Sequence, residues 1–200
     1  MDITPYQLDI LQELINIGVG RAAGMLNQMV NTHIRLQVPM LTLLTPHELE
    51  ALFKRQGGDR ISAVKLGFSG ELTGASLLLF PPESALRLVS VILGQDAQTA
   101  AIDELHVATL QEVGNIVLNG VMGSLGNLLE EHIDYAPVEY YAGGFRALLE
   151  ENVQEQRMVL LVQTSFDVEN LSIRGDIILL FRLETFRSLL QAIDKLAPAP

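Results

Sequence analysis

Glu13 and Asn16 stand three residues apart, and the same pair returns 99 positions later as Glu112 and Asn115. On a helix three residues make nearly one turn, so each pair would offer a carboxylate and a carboxamide side by side. Glu can pair with a cation on a partner and fix its register, while the Asn amide donates and accepts hydrogen bonds and can hold a water. Neither group is a strong nucleophile or a tuned acid. The pair suits a hydrolysis in which the partner brings metal and electrophile, as in phosphoryl transfer, where positioning the attacking water is much of the task. On pattern alone the alternative stays open: a neutral pair that duplication preserved.

The elements that must carry these pairs are legible around them. Thr4-Pro5-Tyr6-Gln7 has the form of a capping box with Pro at the first helical position, and Leu8, Leu11, Leu14, Ile15, Ala22, Met25, Leu26 and Met29 follow at helical spacing as a buried face. Asp9, Glu13, Asn16 and Gly20 then form one stripe on the opposite side. A second long helix opens at Asp103 and buries Leu110, Val113, Val117, Val121, Leu125 and Leu128, which leaves Ala108, Glu112, Asn115 and Asn119 as its stripe. Both stripes are expected to face solvent or a partner. Glycines at 18, 20, 24, 114, 120, 123 and 126 cost a helix roughly 1 kcal/mol each relative to Ala, and close backbone packing is their expected reason.

The repetition extends beyond the helices. Leu11/Leu110, Gln12/Gln111, Ile17/Ile116, Gly24/Gly123 and Leu26/Leu125 share the 99-residue step, and Gly74/Gly175, Phe80/Phe181 and Glu83/Glu184 follow at a step of 101. Strand-like runs cover 33–44, 60–68 and 71–80, then 134–142, 157–166 and 171–181. Short helices are expected at 83–93 and 184–196, with further helical turns at 45–56 and 146–151. The expected fold is α/β, an internally duplicated, pseudo-two-fold single domain over 1–200 with repeats at about 1–94 and 103–197. It has about six strands and two long exposed helices carrying the sites. The stretch 95–102 joins the halves and is too short to let them part.

Composition excludes other classes. With a net charge of −11 and its 13 basic residues scattered, the chain offers no nucleic-acid surface. The absence of cysteine removes disulfides, zinc–thiolate sites and cysteine nucleophiles. His33, His47, His106 and His132 lack metal-ligand spacing and are read as surface or capping residues. No apolar run reaches membrane-span length and no leader is visible at the N-terminus, so a soluble, cytoplasmic protein is expected.

Asp9, Glu13, Asn16 and Pro39, and again Glu112, Asn115 and Pro137, resemble the motif of the CheC/CheX/FliY family of bacterial and archaeal chemotaxis phosphatases. In that motif Asp or Ser precedes Glu and Asn, and Pro lies further on; Ala108 departs from it. Two motif copies in one chain are similar to CheC, whereas CheX-like chains keep one site and FliY-like chains append a flagellar switch domain, for which an end at Pro200 leaves no room. The resemblance implies a substrate, the aspartyl phosphate of a CheY-type response regulator, and roles for the residues. Asn16 and Asn115 would orient the attacking water, and Glu13 and Glu112 would pair with the regulator's lysine. It also implies no cofactor bound by this chain, Mg²⁺ being supplied by the regulator. The receptor deamidase CheD is a further partner that it suggests, and a non-catalytic adaptor for CheD or phospho-CheY is the rival reading. Pro39 and Pro137 are expected to shape the exit from helix to strand. Asn119, opposite Gly20 of the first copy, either extends the second site or is a solvated residue. Because the duplication already supplies two halves, a monomer is expected.

Overall fold

The first long helix begins where its cap requires. Thr4 Oγ1 accepts from the Gln7 backbone N–H at 3.2 Å, and Gln7 Oε1 accepts from the Thr4 N–H at 3.0 Å, so two otherwise orphaned donors are satisfied reciprocally. In the computed structural model, which describes residues 3–29, 34–55, 60–95, 102–129, 133–152, 157–168 and 171–196, this helix is α1 (Pro5–Met29). It is followed by β1 (Ile34–Leu44), α2 (Pro46–Arg55), β2 (Arg60–Gly70), β3 (Gly74–Phe80) and α3 (Pro82–Leu93). The second half supplies α4 (Glu104–Leu129), β4 (Ile133–Tyr135), β5 (Glu139–Gly144), α5 (Phe145–Asn152), β6 (Arg157–Val168), β7 (Leu171–Arg182) and α6 (Leu183–Asp194). Thr45 and Glu48 cap α2 in the same reciprocal way, and Gly94, at φ 64°, ends α3 in the left-handed conformation that glycine adopts without penalty. His33, His132 and most of the 95–102 connection lie outside the described residues.

Among the described residues seven strands pair throughout in antiparallel fashion in the order β1-β6-β7-β3-β2-β4, with β5 also on β2. The seventh strand arises because the run 134–142 is interrupted at Ala136-Pro137-Val138, where proline brings no N–H to the ladder. Each half gives its first strand away: β1 pairs with β6, and β4 and β5 pair with β2. The central pair, β3 on β7, joins the halves again.

Both faces of this sheet are covered. On β7, Ile177, Leu179 and Phe181 turn toward the core shared with α1, α3, α4 and α6, while Ile178 and Leu180 turn toward a second core with Leu49, Phe53, Phe145 and Leu148 of α2 and α5. That two-sided burial explains why the central strands read as continuous apolar runs. Between α2 and α5 the rings of Phe53 and Phe145 stack at 3.8 Å, 16° from parallel. No helix of the described residues is long and apolar enough to cross a membrane.

The glycines at the α1–α4 crossing have the expected purpose. A Cβ on Gly18 would lie 2.5 Å from the Gly120 carbonyl oxygen and 2.7 Å from Val121 Cα, and one on Gly120 would lie 2.7 Å from the Gly18 carbonyl. Gly114 is pressed in the same way against Val64 of β2, whereas Gly20, Gly24 and Gly123 have open space.

Several expectations are corrected. Met25 and Met29 are 53% and 41% exposed: the buried line runs through Leu11, Ile15, Val19, Ala22 and Leu26, Met25 stands about 100° around the helix from its neighbour Leu26, and Met29 continues the line but is the last residue of α1. Of the surface and capping roles expected for the histidines, His106 takes the second: it is buried, with its Nδ1 and its backbone N–H both on the Asp103 carboxylate at 2.5 and 2.9 Å, as part of the α4 cap. Pro39 lies within β1, between the paired Gln37 and Met40 where the register shifts, and Pro137 lies in the break between β4 and β5. Both therefore interrupt outer strands instead of shaping a helix exit, as proline must where a ladder lacks its N–H.

Asp176, on β7, is 7% exposed; burial raises its pKa, the Arg174 guanidinium at 3.9 Å pulls the other way, and its Oδ1 has no hydrogen-bond partner. A raised folded-state pKa means that the native state favours the protonated form, so stability is greatest below the unfolded pKa and is lost as pH rises through the folded one. Asp176→Asn is expected to raise stability at pH 7 by about 1 kcal/mol, a few degrees in the thermal midpoint, with the gain vanishing toward pH 4. Thermal melts across that range check it. At the crossing, Gly18→Ala should destabilise by about 1–3 kcal/mol because backbone must move, while Gly24→Ala should stabilise by about 0.5–1 kcal/mol in chemical denaturation.

Candidate functional site

On α1 the residues that turn inward fix those that turn outward. With Leu11, Ile15, Gly18, Ala22 and Leu26 buried, Asp9, Glu13, Asn16 and Gly20 are all exposed along the other side. Among the described residues, the Glu13 and Asn16 side chains have neither a hydrogen bond nor an ion pair, so both are open to an incoming group. The helix is anchored upstream of them by Gln7, only 6% exposed, whose Nε2 donates to Asp194 of α6 at 2.9 Å while its Oε1 serves the cap.

The α4 stripe repeats this arrangement with differences. Ala108 and Glu112 are exposed, but Asn115 and Asn119 are half-buried, because α4 packs on α1, the sheet and α3 and turns more of its surface inward. Asn119 Nδ2 donates to Asn115 Oδ1 at 2.6 Å and to the Asn115 backbone carbonyl at 2.8 Å. The solvated reading of Asn119 is thereby replaced by a direct bond within the stripe. Gln111 Nε2, beside Glu112, donates to the Val138 carbonyl at 3.4 Å, which ties the helix to the connection containing Pro137. At the opening of α4 the Asp103 carboxylate is held below its ordinary pKa, chiefly by the His106 backbone N–H and then by the His106 ring.

Beside the second pair runs an open groove of about 370 Å³, lined by Met29, Ile92, Leu93, Ala108, Thr109 and Glu112. Sequence periodicity missed it by placing Met29 in the core, since Met29, seven residues after Ala22, continues the buried line and is exposed where α1 ends. Among the described residues no group of three or more His, Asp or Glu side chains is placed to hold a metal ion. Each stripe presents a carboxylate that can bind a cation and a carboxamide that can orient water, and both can be approached by a second protein from outside.

Comparison with known proteins is consistent with this arrangement. The model of the CheC-like family matches residues 7–43, the segment that carries the first pair. Over 171 residues the chain is 29% identical to the CheY-P phosphatase CheC of Bacillus subtilis, covering 82% of this chain and 81% of that protein. It is 21% identical over 138 residues to the flagellar motor switch phosphatase FliY of the same organism, a match spanning 68% of this chain and 35% of the relative. Its fold is that of Thermotoga maritima FliY, with a TM-score of 0.76 at 19% identity over 98% of this chain and 99% of that one.

Gln7→Ala removes both the cap acceptor and the tie to α6. The expected cost is about 1–2 kcal/mol in urea denaturation, with faster amide exchange confined to the first turns of α1.

Proposed function

We propose that the chain is a CheC/CheX/FliY-type phosphatase and that it hydrolyses the aspartyl phosphate of a CheY-type response regulator, a reading supported by the family-model match over 7–43 and the likeness to CheC. The observation that carries the reading is the duplicated Glu-x-x-Asn pair displayed on α1 and α4, each with its carboxylate exposed. In the proposed reaction the regulator docks against one helix and brings its own Mg²⁺. Glu13 or Glu112 pairs with the regulator's lysine, a charge-assisted contact that fixes register. Asn16 or Asn115 enters the regulator's site and holds a water in line with the phosphorus. The water oxygen forms the new P–O bond, the bond to the aspartyl oxygen breaks, and inorganic phosphate and the free carboxylate leave with the water's protons shared between products and solvent. The chain's contribution is positioning, and its own groups exchange no covalent bonds.

The same reading places the protein in the cytoplasm, where its substrate is, and takes it to act as a monomer, with CheD as a further partner. A non-catalytic adaptor for CheD or phospho-CheY would leave the lifetime of the phosphoryl group unchanged, so turnover separates the two readings.

The test is loss of label from phosphorylated CheY-type regulator with Mg²⁺ present, for the wild type and for Asn16→Ala, Asn115→Ala and the double variant. The double variant is expected to lose stimulated hydrolysis by roughly tenfold or more while staying folded. Unchanged acceleration in a folded double variant would sink the mechanism, and no acceleration by the wild type would favour the adaptor.

A further inference from the structure

We infer that Asn119 is a positioning residue of the second site, locking the Asn115 carboxamide in one of its two flip states, and that the first site lacks this device because Gly20 stands in the corresponding place. The inference rests on the proposed phosphatase reading for its catalytic consequence, but its geometry stands apart from it. A carboxamide has an oxygen and a nitrogen of nearly equal shape, so its orientation is set by its hydrogen bonds. Here the chain of bonds starts from a group that cannot flip. The backbone carbonyl of Asn115 only accepts, so the Asn119 atom 2.8 Å from it must be the NH₂. The Asn115 atom 2.6 Å from that same NH₂ must in turn be an acceptor, its Oδ1. The Asn115 NH₂ is thereby turned to the edge of the carboxamide away from Asn119, with one lone pair of Oδ1 already in use.

Half-burial of both residues makes the lock more effective than it would be on an open surface, where water competes for the same bonds. Asn16, by contrast, is exposed, carries no side-chain hydrogen bond among the described residues, and has no side chain one turn further on at Gly20. The two sites therefore share the reacting groups and differ in preorganisation: the second holds its carboxamide ready, and the first must order it when the regulator binds. Asn119 acts through Asn115 and has no contact of its own with the substrate.

The reciprocal exchange is structurally permitted. A Cβ at Gly20 meets nothing within 4 Å, so Gly20→Asn can be introduced without moving a neighbour, and Asn119→Ala puts a strong helix former into a helix. In an Asn16→Ala background, where only the second site works, Asn119→Ala is expected to lower kcat for the phosphorylated regulator roughly two- to tenfold with KM unchanged, because the released carboxamide samples both flip states and further rotamers. In an Asn115→Ala background, Gly20→Asn should raise kcat of the first site by a similar factor. Side-chain amide relaxation by NMR, read on the chain alone, should show the Asn115 NH₂ rigid and the Asn16 NH₂ mobile, with each pattern exchanged in its variant.

A mobile Asn115 amide in the wild type, or kcat unmoved by both substitutions in active backgrounds, would overturn the assignment. A rise in KM together with a fall in the thermal midpoint for Asn119→Ala would also overturn it, by showing a packing role. A rigid Asn115 amide in a wild type that does not accelerate hydrolysis would uphold the lock and reject the phosphatase reading instead.

Discussion

The backbone contact between α1 and α4 at Gly18 and Gly120 is the constraint on which the remaining architecture depends. Two helices that touch through main-chain atoms leave no room for side chains at the crossing, and any Cβ there would meet carbonyl oxygen or Cα. Their Glu/Asn stripes must then lie off the contact, and the residues flanking it, Val19 and Ala22 on one helix and Val117 and Val121 on the other, close into the core over the sheet. Ser124, buried beside Gly18, keeps its hydroxyl satisfied by donating to the Val121 carbonyl within its own helix. Close packing thus decides which faces remain free, and the exposed pairs are the surface that the crossing does not use.

Much of this was legible in the sequence because the relevant physics is local. The capping box at Thr4 depends on groups three residues apart, and it formed as read. Gly18, Gly114, Gly120 and Gly126 signalled close approach through their cost in helix propensity, a signal that Gly20, Gly24 and Gly123 carry without the contact. What escaped the reading depends on partners distant in the chain or on where a helix runs out of packing. Exchange of the first strands between halves leaves no mark on either strand, since β1 would satisfy the same alternation beside β2 as beside β6. Met25 and Met29 are apolar and fall at helical spacing, yet they sit in the last turns of α1 and are exposed there. His106 carries no sequence sign of burial; only the cap that Asp103 builds around it accounts for its place. The bond from Asn119 to Asn115 was hidden because Asn at that spacing is equally compatible with a residue bonded to water.

The two halves repeat the order of elements but differ in the surroundings of their pairs. The backbone is repeated, so Glu and Asn recur at the same helical angle on α1 and α4. Their supports have drifted: Asp9 against Ala108, Gly20 against Asn119, a strand interrupted within β1 against one broken outright between β4 and β5. Each difference changes how firmly a pair is held and what lies beside it, while the pair itself is unchanged. The open groove at Met29 and Glu112 belongs to this class, since it exists only where α3 ends against the α1–α4 layer.

The exchange of outer strands has a consequence for how the chain reaches its native state. β1 and β6 are separated by more than half the sequence, so their pairing requires closure of a long loop, and the topology favours slow, cooperative folding over rapid local assembly. Were the two halves separate polypeptides, the same sheet would form only by association, and its stability would rise and fall with their abundance. Covalent fusion holds the halves at a high effective concentration however scarce the protein is. The integrity of the sheet is thereby independent of how abundant the protein is.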